Sequence, residues 1–120
     1  MQPVLDAKCV ACHAKEKKGP VLTNTKPDGR GWPESYRNLQ NYSFFYNAGD
    51  FVESKTYPGK FGALASKLYG LLQKGHHDVK LTPEELRRIT LWLDCNSDFY
   101  GTYENLPAQA RGEIVKPVLK

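Results

Sequence analysis

Cys9-Val10-Ala11-Cys12-His13 reads C-x-x-C-H, the spacing that attaches a c-type haem. The chemistry needs these residue types at these positions. Two thiols three positions apart add as thioethers across the two vinyl groups of one haem. The next residue, His13, is then tethered close enough for its imidazole to bind the iron from one face. A low-spin electron-transfer haem needs a second axial ligand on the other face, ordinarily Met or His. The only methionine is Met1, at the chain start, and the only other histidines are His76 and His77. Which of the two closes the iron is the main question the sequence poses.

The chain has 120 residues, enough for one domain with one modest core, to which a covalent haem would add a large apolar body. With 40% apolar and 25% charged residues, the composition is that of an ordinary globular protein. No apolar run approaches the roughly 18–20 residues of a membrane span. Met1-Gln2-Pro3 leads almost directly into the motif, without a visible signal peptide. Haem attachment of this type is completed outside the bacterial cytoplasm. The expectation is therefore a single domain, residues 1–120, cut from a larger secreted protein, periplasmic or extracellular, and monomeric in isolation.

The net charge is +4, with Lys8, Lys15, Lys17 and Lys18 close to the motif. These lysines read either as a solvated face or as a collar that steers an acidic redox partner to the haem edge. The charge is modest and no recognition module is present, which argues against nucleic-acid binding. With Cys9 and Cys12 committed to the haem, Cys95 has no intrachain partner. It reads as a small core residue near the end of an apolar helix, with an exposed or intermolecular thiol as the alternative.

Periodicity and punctuation predict an all-α domain with long loops and an extended tail. Pro3 suits the first turn of a short helix that runs into the motif. Gly19-Pro20 ends that helix. The Pro20 carbonyl is a candidate acceptor for the second ring proton of His13, which would orient the ring and raise its basicity; a plain turn proline is the alternative. Residues 23–31 are a loop, and Trp32-Pro33-Glu34 starts a short helix to about Gln40, with Pro33 at its first position. Tyr42-Ser43-Phe44-Phe45-Tyr46 is dense in rings that either line the haem pocket or form core. Residues 47–60 read as a second loop.

Ala63 to Lys74 has leucines 64, 68, 71 and 72 on one helical face, and Gly75 fits a left-handed helix end. His76 and His77 lie just past that end. Thr82-Pro83-Glu84-Glu85 is a capped helix start with a capping box. From there Leu86, Ile89 and Leu93 form a buried face to about Asn96. Trp92 adds bulk beside that face and is a candidate haem contact. Ser97 to Lys120 reads as a wrapping tail, with a short helix around Ala108 to Arg111.

Of the two candidate distal ligands, His76 directly follows Gly75, where the chain can turn inward, and His77 would then point outward beside Asp78. Lys60, Lys67 and Lys80 are further candidates, but each would have to lose its proton. A zinc site from Cys9, Cys12, His13 and His76 is the rival metal reading; adjacent Cys12 and His13 are poorly placed to reach one tetrahedral ion.

The order of these features resembles class I cytochrome c. In that family one helix carries the haem motif, a terminal helix packs across it, and the distal ligand comes from the loop before the last helix. Gly75-His76-His77-Asp78-Val79-Lys80-Leu81-Thr82-Pro83-Glu84-Glu85-Leu86 looks like that loop and helix start, with His76 where the family usually has Met. The departure implies a lower potential than His/Met relatives have, because histidine favours the ferric state. Tyr57-Pro58-Gly59-Lys60-Phe61-Gly62-Ala63, Ser66-Lys67-Leu68-Tyr69, Gly75-His76 and Leu91-Trp92-Leu93-Asp94-Cys95-Asn96 resemble the C-terminal haem domain of hydrazine-synthase alpha-subunit-like proteins. They are also similar to haem modules appended to secreted bacterial carbohydrate-active proteins.

That resemblance implies a bis-histidine monohaem electron-transfer module, with His76 as the distal ligand. It does not bring hydrazine synthesis, whose chemistry belongs to other domains. In the carbohydrate-linked relatives the implied role is delivering electrons to a secreted enzyme such as a copper polysaccharide monooxygenase. The competing expectation is a haem enzyme or gas or redox sensor with an open or displaceable sixth site, where His77 would serve as a distal acid–base group of peroxidase type. The residues offer no convincing nucleophile or acid–base pair for a non-haem enzyme.

Overall fold

The computed structural model describes residues 1–15, 19–45 and 57–118, with Lys15 described in its backbone only. Among these residues there are seven α-helices and no strand. The first two, α1 (Gln2–Lys8) and α2 (Val10–Lys15), run almost end to end and bend at Cys9. The bend keeps the ladder intact, since Cys9 N–H reaches the Leu5 carbonyl at 2.8 Å and His13 N–H reaches that of Cys9 at 3.1 Å. The C-x-x-C-H segment therefore continues a helix, as expected of the segment that leads into it.

α3 (Glu34–Leu39) begins one residue later than the sequence suggests. Pro33 is its cap residue, with φ −69° and ψ 163°, and not its first helical residue. Buried Tyr36 and Leu39 face inward.

The helix expected from Ala63 to Lys74 is two helices, α4 (Gly62–Ala65) and α5 (Lys67–Lys74). Ser66 causes the break. Its backbone is extended (φ −82°, ψ 141°), and its hydroxyl accepts the Tyr69 N–H while donating to the Ala63 carbonyl. A serine that caps the following turn competes with helix continuation. The break resets the helical phase. Leu68 and Leu72 pack inward, whereas Leu64 is 69% exposed and Leu71 40% exposed, so the single leucine stripe does not form. Gly75 ends α5 with φ 82° and ψ 131°, an extended positive-φ geometry, not a left-handed helical one.

α6 (Pro83–Asp94) carries the capping box that its sequence announces. Thr82 Oγ accepts the Glu85 N–H at 3.2 Å, and Glu85 Oε2 accepts the Thr82 N–H at 2.8 Å. Ile89 and Leu93 are buried on its inner face, Leu93 completely, and Leu86 is half-buried. α4 docks on the C-terminal end of α6, where Asp94 Oδ1 accepts the Ala63 N–H at 2.8 Å. That approach requires Gly62, since a Cβ at its φ of 59° would collide with Asp94 Oδ1.

Cys95 is exposed, which corrects its reading as a core residue. Two positions beyond Leu93, it lies about 200° around the helix from the buried face, since each residue turns about 100°.

The tail does wrap the domain. Left-handed residues Asn96 and Ser97 (φ 63° and 54°) turn the chain back on itself. The Tyr36 hydroxyl donates to the Ser97 carbonyl at 3.0 Å, and Trp92 Nε1 donates to the Asp98 carbonyl at 3.1 Å. Tyr100 OH donates to the Arg30 carbonyl. α7 (Leu106–Ala110) starts two residues before the expected segment. Its Gln109 side chain donates to the Thr102 and Glu104 carbonyls and accepts from Gly101 N–H.

Two buried groups form the interior. One is Val4, Ala63, Ile89 and Leu93; the other is Leu5, Leu22 and Leu39, with Cys9 and Val10 packed against it. Met1, Leu68 and Trp92 touch both. The second group thus forms the wall behind the C-x-x-C-H segment.

Candidate metal centre

α2 and the turn after α5 bring His13 and His76 together. Their ring centroids are 6.0 Å apart, with planes inclined by 32°. Two imidazoles bound on opposite sides of one metal, at about 2 Å per bond, have centroids roughly 6 Å apart. The spacing therefore suits a shared ion between the rings.

His13 is held for that role. Its Nδ1 lies 2.7 Å from the Pro20 carbonyl oxygen. A carbonyl can only accept, so Nδ1 carries the proton and Nε2 keeps a free lone pair, the arrangement a metal-binding imidazole needs. The Pro20 carbonyl is thus within hydrogen-bond distance of the His13 ring. Cys9 and Cys12 are three positions apart at the α1–α2 bend, neighbouring places on a helical surface. Neither is in a disulfide, and Cys12 is exposed. Burial, and then the neighbouring Cys12, push the Cys9 thiol up from its usual range.

His76 is half-buried, and His77 beside it is exposed. Burial first, then the adjacent His77 and the facing His13, hold His76 below the usual histidine range. That direction favours the neutral form, the one that ligates. The His77 ring stands edge-on to His76 at 4.6 Å between centroids. Val79 N–H closes the turn on the His76 carbonyl at 3.0 Å, and His77 and Asp78 both take left-handed backbones (φ 46° and 60°).

The donor set and its geometry fit a c-type haem: two thiols on one helix face, one oriented imidazole next to them, and a second neutral imidazole opposite. No group of three or more His, Cys, Asp or Glu among the described residues is placed to hold a metal ion. Haem iron asks the protein for only two ligands, on opposite faces.

The other candidates fall elsewhere. Trp92 sits between the two buried groups, edge-on to Tyr36 at 6.3 Å. It shares the Leu5–Leu22–Leu39 wall with Cys9 but has no contact with either histidine ring among the ring contacts described. Lys60, Lys67 and Lys80 are exposed. Of the aromatic run, Tyr42 packs on the wall behind Cys9, Phe44 meets Phe61 at a tilt of 55° with 4.7 Å between centroids, and Phe45 is exposed; Tyr46 lies outside the described residues.

Of the expected lysine collar, Lys8 is engaged with Glu85 at 3.5 Å, and Lys17, Lys18 and the Lys15 side chain lie outside the described residues. A cavity of about 280 Å³ lies between α1, α3 and the tail, lined by Tyr36, Trp92, Phe99 and Gln109 among others. None of Cys9, Cys12, His13 and His76 lines it. Gly19 reads from the sequence as a turn glycine before a proline, yet a Cβ built on it would lie 3.1 Å from the His13 ring.

No protein-family model, curated protein or solved structure matches this chain. No described helix is long and apolar enough to cross a membrane.

Proposed function

We propose that this chain is a monohaem c-type cytochrome domain whose function is outer-sphere electron transfer. The observation that carries the reading is the opposition of His13 and His76 across 6.0 Å, directly beside the Cys9–Cys12 pair. Cys9 and Cys12 hold the haem as thioethers, His13 is the proximal ligand and His76 the distal one. When bound, the haem supplies a one-electron ferric–ferrous couple. The chain's own residues keep the coordination closed and set the potential. Pro20 holds the His13 proton at Nδ1, which makes the ring a stronger donor and favours the ferric state. The Leu5–Leu22–Leu39 wall excludes water behind the motif. Two histidine ligands predict a low potential.

The reading makes the domain an electron carrier and not an enzyme, secreted or periplasmic in a bacterium. Its partner would be a redox protein with an acidic docking surface, such as a secreted copper polysaccharide monooxygenase. A single experiment tests the core of it: absorption spectra of the ferric and dithionite-reduced protein, with and without carbon monoxide. A split, low-spin reduced spectrum that carbon monoxide leaves unchanged is expected. A high-spin spectrum, or one that carbon monoxide shifts, would sink the closed-coordination reading.

One observation favours a second reading. His77 and Asp78 adopt consecutive left-handed backbones directly after His76, a geometry that costs roughly 1–2 kcal/mol per non-glycine residue. A turn under such strain would make a ligand bond at His76 easier to displace. The site would then act as a sensor or a peroxidase-like centre, with His77 beside the vacated position.

A further inference from the structure

Gly19 has φ 85°, and a Cβ built on it would lie 3.1 Å from His13 Cε1 and 3.3 Å from His13 Nδ1. Those are the two ring atoms at and next to the hydrogen bond to Pro20. Such a Cβ is closer than ordinary van der Waals contact allows, so the ring or the chain would have to move by a few tenths of an ångström. The ring is anchored on one side by α2 and on the other by the Pro20 carbonyl, one residue from Gly19. Displacing it would lengthen or bend the 2.7 Å contact that keeps the proton on Nδ1.

We propose that Gly19 is a positioning residue for the proximal ligand: its missing side chain lets the His13 ring seat against the Pro20 carbonyl, and so sets the donor strength of Nε2. The proposal rests on the haem reading above. It goes beyond a turn glycine in claiming an electronic consequence. A weaker Nδ1–H···O bond makes the imidazole a poorer donor to ferric iron, so the potential rises when the ring is pushed away.

Positive φ alone penalises any side chain, so the test needs a matched control. Gly112 has φ 84°, with nothing within 4 Å of its Cβ position. It shares the positive φ, with no ring beside it and no proline after it. Asparagine tolerates left-handed backbones better than most residues, so Gly19→Asn and Gly112→Asn each add a Cβ at a positive φ, with the added restriction of a following proline at Gly19 alone.

The experiment is voltammetry of the haem-loaded wild type, G19N and G112N, with the low-spin ferric spectrum of each as a second readout. G19N is expected to raise the potential by an amount equivalent to about tenfold in the ferric-to-ferrous stabilisation ratio, about 59 mV for one electron, with altered low-spin features. G112N is expected to match wild type in both. Equal potentials in G19N and G112N would overturn the proposal. So would failure of G19N to accumulate as a haem protein while G112N does, which would leave Gly19 a purely structural role. If the wild type itself shows no covalent haem and no reversible couple, the haem reading has failed, and that outcome is distinct from either of the others.

Discussion

The His13 and His76 ring centroids lie 6.0 Å apart, although one ring is carried by α2 and the other by the turn before α6. Each is set by a different device. The Pro20 carbonyl holds His13, and a turn that Val79 closes through left-handed His77 and Asp78 holds His76.

That opposition separates the two adjacent histidines. His76→Ala should convert the haem-loaded protein to a high-spin form that binds carbon monoxide when reduced. His77→Ala should remain low-spin and indifferent to carbon monoxide. Absorption spectra of the two variants decide the assignment, and the reverse pattern would transfer the ligand role to His77.

The interior of α6 makes a second prediction. Leu93 is fully buried, whereas Leu91, two positions away, is 51% exposed. Leu93→Ala should cost about 2–5 kcal/mol in denaturant unfolding. Leu91→Ala should stay within about 0.5 kcal/mol of wild type. Equal losses would mean that α6 presents a different face to the core.

The start of α6 should be acid-sensitive. The Thr82 N–H, and to a lesser extent Lys8, hold the Glu85 carboxyl below the usual glutamate range. A carboxyl with a depressed folded value stabilises fully above its unfolded pKa and loses that contribution as pH falls through the folded value. Unfolding midpoints should therefore fall on acidification below the ordinary glutamate range, and Glu85→Gln should flatten that dependence. Thr82→Ala, which removes the other half of the box, should cost about 0.5–2 kcal/mol at neutral pH.

Cys95 is exposed at the end of α6. With Cys9 and Cys12 in thioether linkage, the native protein should show one titratable thiol, reacting with a thiol reagent without denaturant. Cys95→Ser should abolish it and leave stability nearly unchanged. A thiol that reacts only after unfolding would contradict the exposed position.

The tail should contribute through one buried hydrogen bond. Tyr36→Phe deletes the hydroxyl that donates to the Ser97 carbonyl and should lower stability by about 1 kcal/mol. The same variant should raise the hydrogen-exchange rates of the 97–110 segment more than those of α6.

Much of this arrangement was determined by local sequence. The C-x-x-C-H spacing nominates its candidate donor groups without a third dimension. The capping box at Thr82–Glu85 and the proline in the first turn of α1 act over one turn of backbone, so the residues that cause them are neighbours in the chain. The all-α class follows from the same local signals.

Tertiary structure alone decided the rest. Ser66 splits the Ala63–Lys74 segment because its hydroxyl caps α5 while α4 is pulled onto Asp94, and no leucine period records that competition. Cys95 lies outside because Leu93 fixes the phase of α6. The pairing of the His76 ring with that of His13, and the lack of room for a side chain at Gly19 beside the His13 ring, depend on where separate segments meet in space. A sequence specifies which groups can bind; only the packed chain determines which of them point at one another.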